Sequence, residues 1–310
     1  MRRIEGVQQT SITVRRDVEF ARRDTGPLLL DLYRPANTTA PVVVWLHGGG
    51  WFTGDRTLAP DLSRFFAERG IAMASIEYRL SAAATFPAQL HDVRCAIRYL
   101  RGHAARWHLN PDRIGVWGSS AGGHLAALAG LTGHMDRLEG EDEGGDASVR
   151  AVAESYGPSD LSQSAAQMPD GSPSPETRLF GARPDQAVDR ARAASPLYRV
   201  RHDAPAFQIS HGTADTVVPQ RHSQRLHTAL NAAGAVSELY LVDGYRHGFL
   251  NPGGRLEAGI TEFFDDGRLH AEGQSAATLF TSSCSSVSTT FGFDTIGDFF
   301  AHHLIEKDIS

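Results

Sequence analysis

The sequence predicts a doubly wound α/β sheet of about eight mostly parallel strands with helices on both faces, and three observations carry that expectation. Apolar runs recur at Pro41–Leu46, Ile71–Ile76, Arg113–Trp117, Ala151–Ser155, Ala206–Ile209 and Ser237–Val242. The first of them, Pro41-Val42-Val43-Val44-Trp45-Leu46, is continuous rather than alternating, as expected of a strand buried on both faces of a parallel sheet. Helical patterns fall between the runs, near 60–69, 87–107, 121–133 and 219–233, and strand alternating with helix points to parallel crossovers. Ahead of these, residues 11–19 and 28–33 alternate apolar with polar and predict an opening antiparallel pair.

The whole chain, 1–310, is read as one domain with insertions. Asp136 through Asp146 is acidic and Gly-rich and reads as a solvated loop. Residues 157–195 are Pro-rich, lie between two core strands and are expected to form a small cap over the sheet edge. Residues 251–293 hold the Ser-rich run Thr281–Ser286 and show no strong helical period. They read either as a loosely packed loop or as a flap near the active site. Amphipathic spacing resumes over 294–305 through Ile296, Phe299, Phe300 and Leu304, which predicts a closing helix.

Composition narrows the function classes. With 41% hydrophobic and 21% charged residues the chain can bury a sizeable core, and a net charge of −6 does not favour nucleic acid or anionic membranes. No apolar run is long enough to span a bilayer, and no apolar stretch follows the charged start Met1-Arg2-Arg3, so neither a membrane span nor a secretory signal is expected. Cys95 and Cys284 form no CxxC unit; a disulfide is not expected, and a reduced, cytoplasmic setting is. No HExxH or paired Cys/His spacing occurs, and His302-His303 are adjacent on a helix and point to different sides, so no metal or other cofactor is expected. A homodimer is left open.

Chemistry concentrates around Ser120. It sits in Gly118-Ser119-Ser120-Ala121-Gly122, directly after the apolar run ending at Trp117 and before the helical stretch from residue 121. Strand, sharp turn and helix in that order turn a G-x-S-x-G match into a nucleophile elbow. A serine hydroxyl is a poor nucleophile at neutral pH and needs a base, itself oriented by a carboxylate. In this topology acid and base follow the nucleophile, on loops after later strands. Asp215 lies in such a loop after the strand ending at Ile209, and His247 in a Gly-flanked loop after the strand ending at Val242. Asp203 and Asp243 compete as acids but lie on the wrong side of a strand or too close to the histidine, and His211 reads as a residue that orders the acid's loop. Oxyanion donors are expected from the Ala121 N–H and from Gly49 and Gly50 in His47-Gly48-Gly49-Gly50-Trp51, since consecutive glycines let amides approach a charged oxygen. Trp51 and Phe52 either line the substrate pocket or pack under that loop, and Ser119 joins them as a candidate substrate contact.

With these residues in place the chain resembles the α/β-hydrolase superfamily, and within it the bacterial esterases related to hormone-sensitive lipase and the BD-type feruloyl esterases. The likeness runs over residues 25–250 and the closing helix, through His47–Trp51, Glu77–Leu80, Phe86–Ala88, Asp112–His124, Gly157–Asp160, Ser195-Pro196 and His211–Pro219. It implies Ser120 as nucleophile, Asp215 and His247 as partners, Gly49, Gly50 and Ala121 as oxyanion donors, and a small-molecule ester as substrate. Ser119 stands where the lipase group commonly has Asp, and fewer than fifty residues precede His47, too few for that group's N-terminal cap; both place the chain nearer the short-capped feruloyl and carbohydrate esterases. The expected activity is carboxylic ester hydrolysis. Amide or formamide cleavage, or peptidase-like hydrolysis, by the same three residues is the alternative, and a non-catalytic ligand receptor on this scaffold the remote one.

Overall fold

The computed structural model describes residues 11–254, 261–281 and 285–305. Ten strands form one sheet: β1 (Ile12–Arg23), β2 (Gly26–Pro35), β3 (Ala40–Leu46), β4 (Ala72–Ile76), β5 (Leu109–Ser119), β6 (Ala151–Ser155), β7 (Ala206–Gly212), β8 (Ser237–Val242), β9 (Gln274–Phe280) and β10 (Ser286–Gly292). Their spatial order is β1-β2-β4-β3-β5-β6-β7-β8-β9-β10. Neighbours from β4 to β8 run parallel, whereas β1–β2, β2–β4, β8–β9 and β9–β10 are antiparallel. The parallel centre and the opening antiparallel pair are what the sequence predicts, and the antiparallel β9–β10 edge is an addition to it.

The helices are α1 (Leu62–Phe65), α2 (Ala88–Gly102), α3 (Ala104–Trp107), α4 (Ala121–Thr132), α5 (Pro175–Phe180), α6 (Val188–Ala193), α7 (Arg221–Ala232), α8 (Arg268–Glu272) and α9 (Phe293–Leu304). They divide between the two faces, and β3 shows why its run is continuously apolar. Val42 and Val44 join a core with Val93 of α2, Leu125 of α4 and Leu226 of α7. Val43 and Trp45 turn the other way, into a core with Leu62 of α1 and Ile296 and Phe300 of α9. Among the described residues no helix is long and apolar enough to cross a membrane.

Two expectations need correction. The sheet has ten strands rather than about eight, because the 251–293 segment supplies β9 and β10, so its described part is no loose loop. Its small polar residues, as in Ser286-Val287-Ser288-Thr289-Thr290, hide a strand that pairs with β9 and is anchored by buried Phe291. The acidic 136–146 loop is not merely solvated either. Glu141 is 3% exposed and clasped by Arg94 (2.7 Å) and Arg98 (3.1 Å) of α2, while Arg94 also donates to the Thr132 and Met135 carbonyls. Arg98 and Arg101 donate to the carbonyls of Gly145 and Asp146, so α2 straps the loop down along its length.

Candidate active site

Ser120 follows β5 at the turn into α4 with φ 53° and ψ −119°, a left-handed conformation that costs a non-glycine residue of order 1–3 kcal/mol. Neighbouring hydrogen bonds hold it there: its N–H donates to the Ser155 carbonyl (2.8 Å), and its own carbonyl accepts the His124 N–H (3.0 Å). The flanking glycines are sterically required. A Cβ on Gly118 would lie 2.3 Å from the Gly122 oxygen, and one on Gly122 would lie 2.0 Å from the Leu46 oxygen. The turn therefore closes tightly against both the helix that follows and the neighbouring strand β3.

The loops after β7 and β8 bring Asp215 and His247 to this turn. His247 Nε2 lies 2.7 Å from Ser120 Oγ, and His247 Nδ1 lies 2.7 Å from Asp215 Oδ2. An ionised carboxylate only accepts, so Nδ1 carries the ring proton and Nε2 accepts from the serine hydroxyl. Asp215 Oδ1 accepts from the amides of Val217 and Val218, both at 2.9 Å. Burial works against its charge, but His247 and hydrogen bonds from His211 and His247 prevail and hold the carboxyl well below the usual range. The three side chains are all buried, with Ser120 7% exposed.

The loop after β3 lies beside them. Gly49 and Gly50 adopt φ of 108° and 58°, and Gly49 accepts from the amides of Phe52 and Thr53. Among the described residues, the amides of Gly49, Gly50 and Ala121 donate no backbone hydrogen bond in the loops and turns. His47 orders this loop from beneath. Its ring stacks on Tyr78 at 4.4 Å and donates to the Gly48 carbonyl, and burial lowers its pKa to about 4, so it stays neutral. Trp51 turns inward, 2% exposed, with Nε1 donating to His124 Nδ1 at 3.2 Å. Ser119 is also turned into the fold, 0% exposed, and among the described residues its hydroxyl has no hydrogen-bond partner and is not brought to the cluster. Phe52 is half-buried under the Arg178 guanidinium, 4.9 Å from its ring centre. That contact joins the glycine loop to α5 of the 157–195 segment.

Two residues against His247 were not visible in the sequence pattern. Tyr156, after β6, sets its ring edge-on to the imidazole at 4.8 Å, and Phe264 does the same from the other segment at 5.5 Å. An aromatic directly after a core strand was the available signal for Tyr156. Phe264 had none, since its position depends on a bridge between residues 247 and 264.

This geometry has close relatives. Residues 30–230 match the BD-FAE family. The esterase LipQ of Mycobacterium tuberculosis is 35% identical over 68% of this chain and 52% of its own length. The isoprenylcysteine alpha-carbonyl methylesterase ICME of Arabidopsis thaliana is 30% identical over 80% of this chain and 61% of its own. The chain thus spans about half the length of the first of these curated relatives. Among solved structures, a truncated carbohydrate esterase from gut microbiota superposes with TM-score 0.66 at 30% identity, covering 77% of this chain and 90% of that one. A thermophilic esterase of Thermogutta terrifontis, in a structure with propionate bound, superposes with TM-score 0.63 at 26% identity, covering 86% and 93%. The match over residues 30–230, most of the chain, settles its relationship: the protein belongs to the BD-FAE family, on an α/β-hydrolase fold.

Proposed function

We propose that the protein is a serine carboxylesterase acting on small-molecule esters with short to medium acyl chains. The observation that carries the reading is the unbroken line from Ser120 Oγ through His247 to Asp215, with 2.7 Å at each step. Its esterase relatives support it, and the propionate held by the Thermogutta esterase favours a short acyl group.

In the first half-reaction Ser120 Oγ attacks the ester carbonyl carbon as His247 Nε2 takes its proton. Asp215 stabilises the imidazolium and fixes its tautomer. The amides of Ala121, Gly49 and Gly50 receive the oxyanion. Collapse expels the alcohol, which takes the proton from Nε2 and leaves Ser120 acylated. Water then attacks the acyl carbon, giving its proton to Nε2, and the acid departs as that proton returns to Oγ.

Turnover of p-nitrophenyl acetate and butyrate tests this. Ser120→Ala should lower kcat by more than about 10⁴-fold with the fold intact. Retained turnover would overturn the assignment. Pairing an ester with its isosteric amide separates carboxylesterase from amidase, and faster amide cleavage would favour the latter.

A further inference from the structure

Behind Asp215 lies a second run of buried polar groups that the steps above do not use. Besides accepting from His247, Asp215 Oδ2 stands 3.3 Å from His211 Nε2. Nδ1 of the same ring is 2.7 Å from Ser223 Oγ on α7, and that oxygen is 3.4 Å from Glu154 Oε2 on β6. Glu154 Oε1 accepts the Gly157 amide. A Cβ on Gly157 would fall 2.9 Å from the Ser120 carbonyl oxygen, so the run that leaves at Asp215 returns beneath the elbow. His211 and Ser223 are 0% exposed and Glu154 is 1% exposed.

Donor and acceptor accounting fixes the protons along it. His211 Nε2 faces the Val218 carbonyl at 2.7 Å as well as the Asp215 carboxylate, and both only accept, so Nε2 carries a hydrogen. When the ring carries that hydrogen alone, Nδ1 accepts, and Ser223 is the donor within reach. With its one hydrogen used, Ser223 offers Glu154 only a lone pair across their 3.4 Å separation, which suits the carboxylic acid form.

We propose that His211, Ser223 and a protonated Glu154 are positioning residues, a one-way string of donors ending on Asp215 that holds its charge aimed at His247. The inference rests on Asp215 being the acid of the proposed triad. Burial pushes the Glu154 carboxyl up to about 8, against the opposing Gly157 amide, which leaves it protonated at neutral pH. The titratable groups around it carry no charge that would reverse this. His222, beside Ser223 on α7, and His124 on α4 both have their pKa lowered to about 4 by burial, and the His124 ring is turned away to Trp51 and the Ala194 carbonyl. Arg225 of α7 is engaged by Asp160 at 2.9 Å. Ionising Glu154 turns the Ser223 hydroxyl toward the new carboxylate. His211 Nδ1 then loses the donor that holds the ring in place against Asp215.

The test is kcat and KM for p-nitrophenyl butyrate from about pH 6 to about pH 9.5 on wild type, Ser223→Ala, Glu154→Leu and Glu154→Gln, with thermal unfolding alongside. Ser223→Ala and Glu154→Leu should each lower kcat about tenfold with KM within about twofold, the loss of a donor to a charged group. Glu154→Gln, whose amide can still donate to Ser223, should recover most of that loss. It should also lack the alkaline decline in kcat that wild type shows as the Glu154 carboxyl ionises. Wild-type kcat and pH profile in folded Ser223→Ala, or a folded Glu154→Gln as slow as Glu154→Leu, would overturn the proposal. Ser120→Ala separates the two readings: if it stays active the triad itself fails, and if it is inactive while Ser223→Ala and Glu154→Leu match wild type, only the string fails.

Discussion

Two loops of this molecule bury a carboxylate, and they surround it with different basic side chains. Glu141, in the 136–146 loop, faces Arg94 and Arg98; Asp215, after β7, faces His247 and His211. In both places burial alone would raise the pKa, and in both the partners reverse it and lower it. A guanidinium never surrenders its proton at accessible pH, so the Glu141 pair holds a fixed charge and acts as a fastening. An imidazole exchanges its proton near neutrality, so the Asp215 pair can gain and lose a charge within a reaction cycle. The identity of the basic partner, not the depth of burial, separates fastening from chemistry.

The largest effect should come from breaking the Asp215 side. Asp215→Asn keeps the shape but presents an amide that can donate to His247 Nδ1 and select the wrong tautomer. It should lower kcat on p-nitrophenyl butyrate by about 10⁴-fold. A loss below about tenfold would mean that His247 does not depend on this carboxylate and would erase the contrast between the loops.

The Glu141 side should answer in stability instead. Arg94→Met leaves Glu141 without its best partner, and removing one member of a buried pair costs about 3–5 kcal/mol. The turnover of the folded fraction should remain, because the strapped loop follows the C-terminal end of α4 while Ser120 stands at its start. Chemical denaturation read beside kcat checks this, and lost turnover at unchanged stability would contradict it. The pH dependence has a definite sign. The folded pKa of Glu141 lies below its ordinary value of 4.5, so its contribution is complete above that value and is lost as pH falls through the folded pKa. The difference in melting temperature between wild type and Glu141→Gln should therefore be largest near neutral pH and shrink in acid.

The same contrast governs what could be read from the sequence. Strands β3 to β8 were legible because burial on both faces leaves an unbroken apolar run, as in Val42-Val43-Val44. Ser120, Asp215 and His247 were legible as candidates because each must follow a strand of that sheet, and a loop position is a local property. The partners of those loops were not. Nothing near Glu141 in sequence announces Arg94 and Arg98, which reach it from α2 across more than forty positions. Glu154 looked like an ordinary strand residue until β7 and α7 closed over it. Strands β9 and β10 escaped notice for a related reason: their Ser and Thr residues carry little apolar signal, and the pairing of β9 with β8 and of β10 with β9 supplies what they lack. Trp51 and Ser119 mark the opposite limit. Their positions beside the glycine loop and the nucleophile were correct, but the direction of a side chain is set by packing, and both point inward.

The smallest expected effect lies where a fixed cation meets the proposed site from outside. Arg178, exposed on α5, rests over the Phe52 ring, while the Pro175 Cβ stands 3.3 Å from where a Cβ on Gly50 would be. An exposed cation over an aromatic face is worth about 0.5–1 kcal/mol, so Arg178→Ala should change KM by roughly two- to fivefold and leave kcat near wild type. The weakness follows from the argument about the two loops: water screens this guanidinium, and no buried carboxylate depends on it. Its influence would pass through the freedom gained by Phe52, and bulky alcohol groups should feel that more than acetate or butyrate esters of p-nitrophenol. If kcat fell tenfold instead, α5 would be holding the amides of Gly49 and Gly50 in place, and the 157–195 segment would belong with the oxyanion donors and not at the rim.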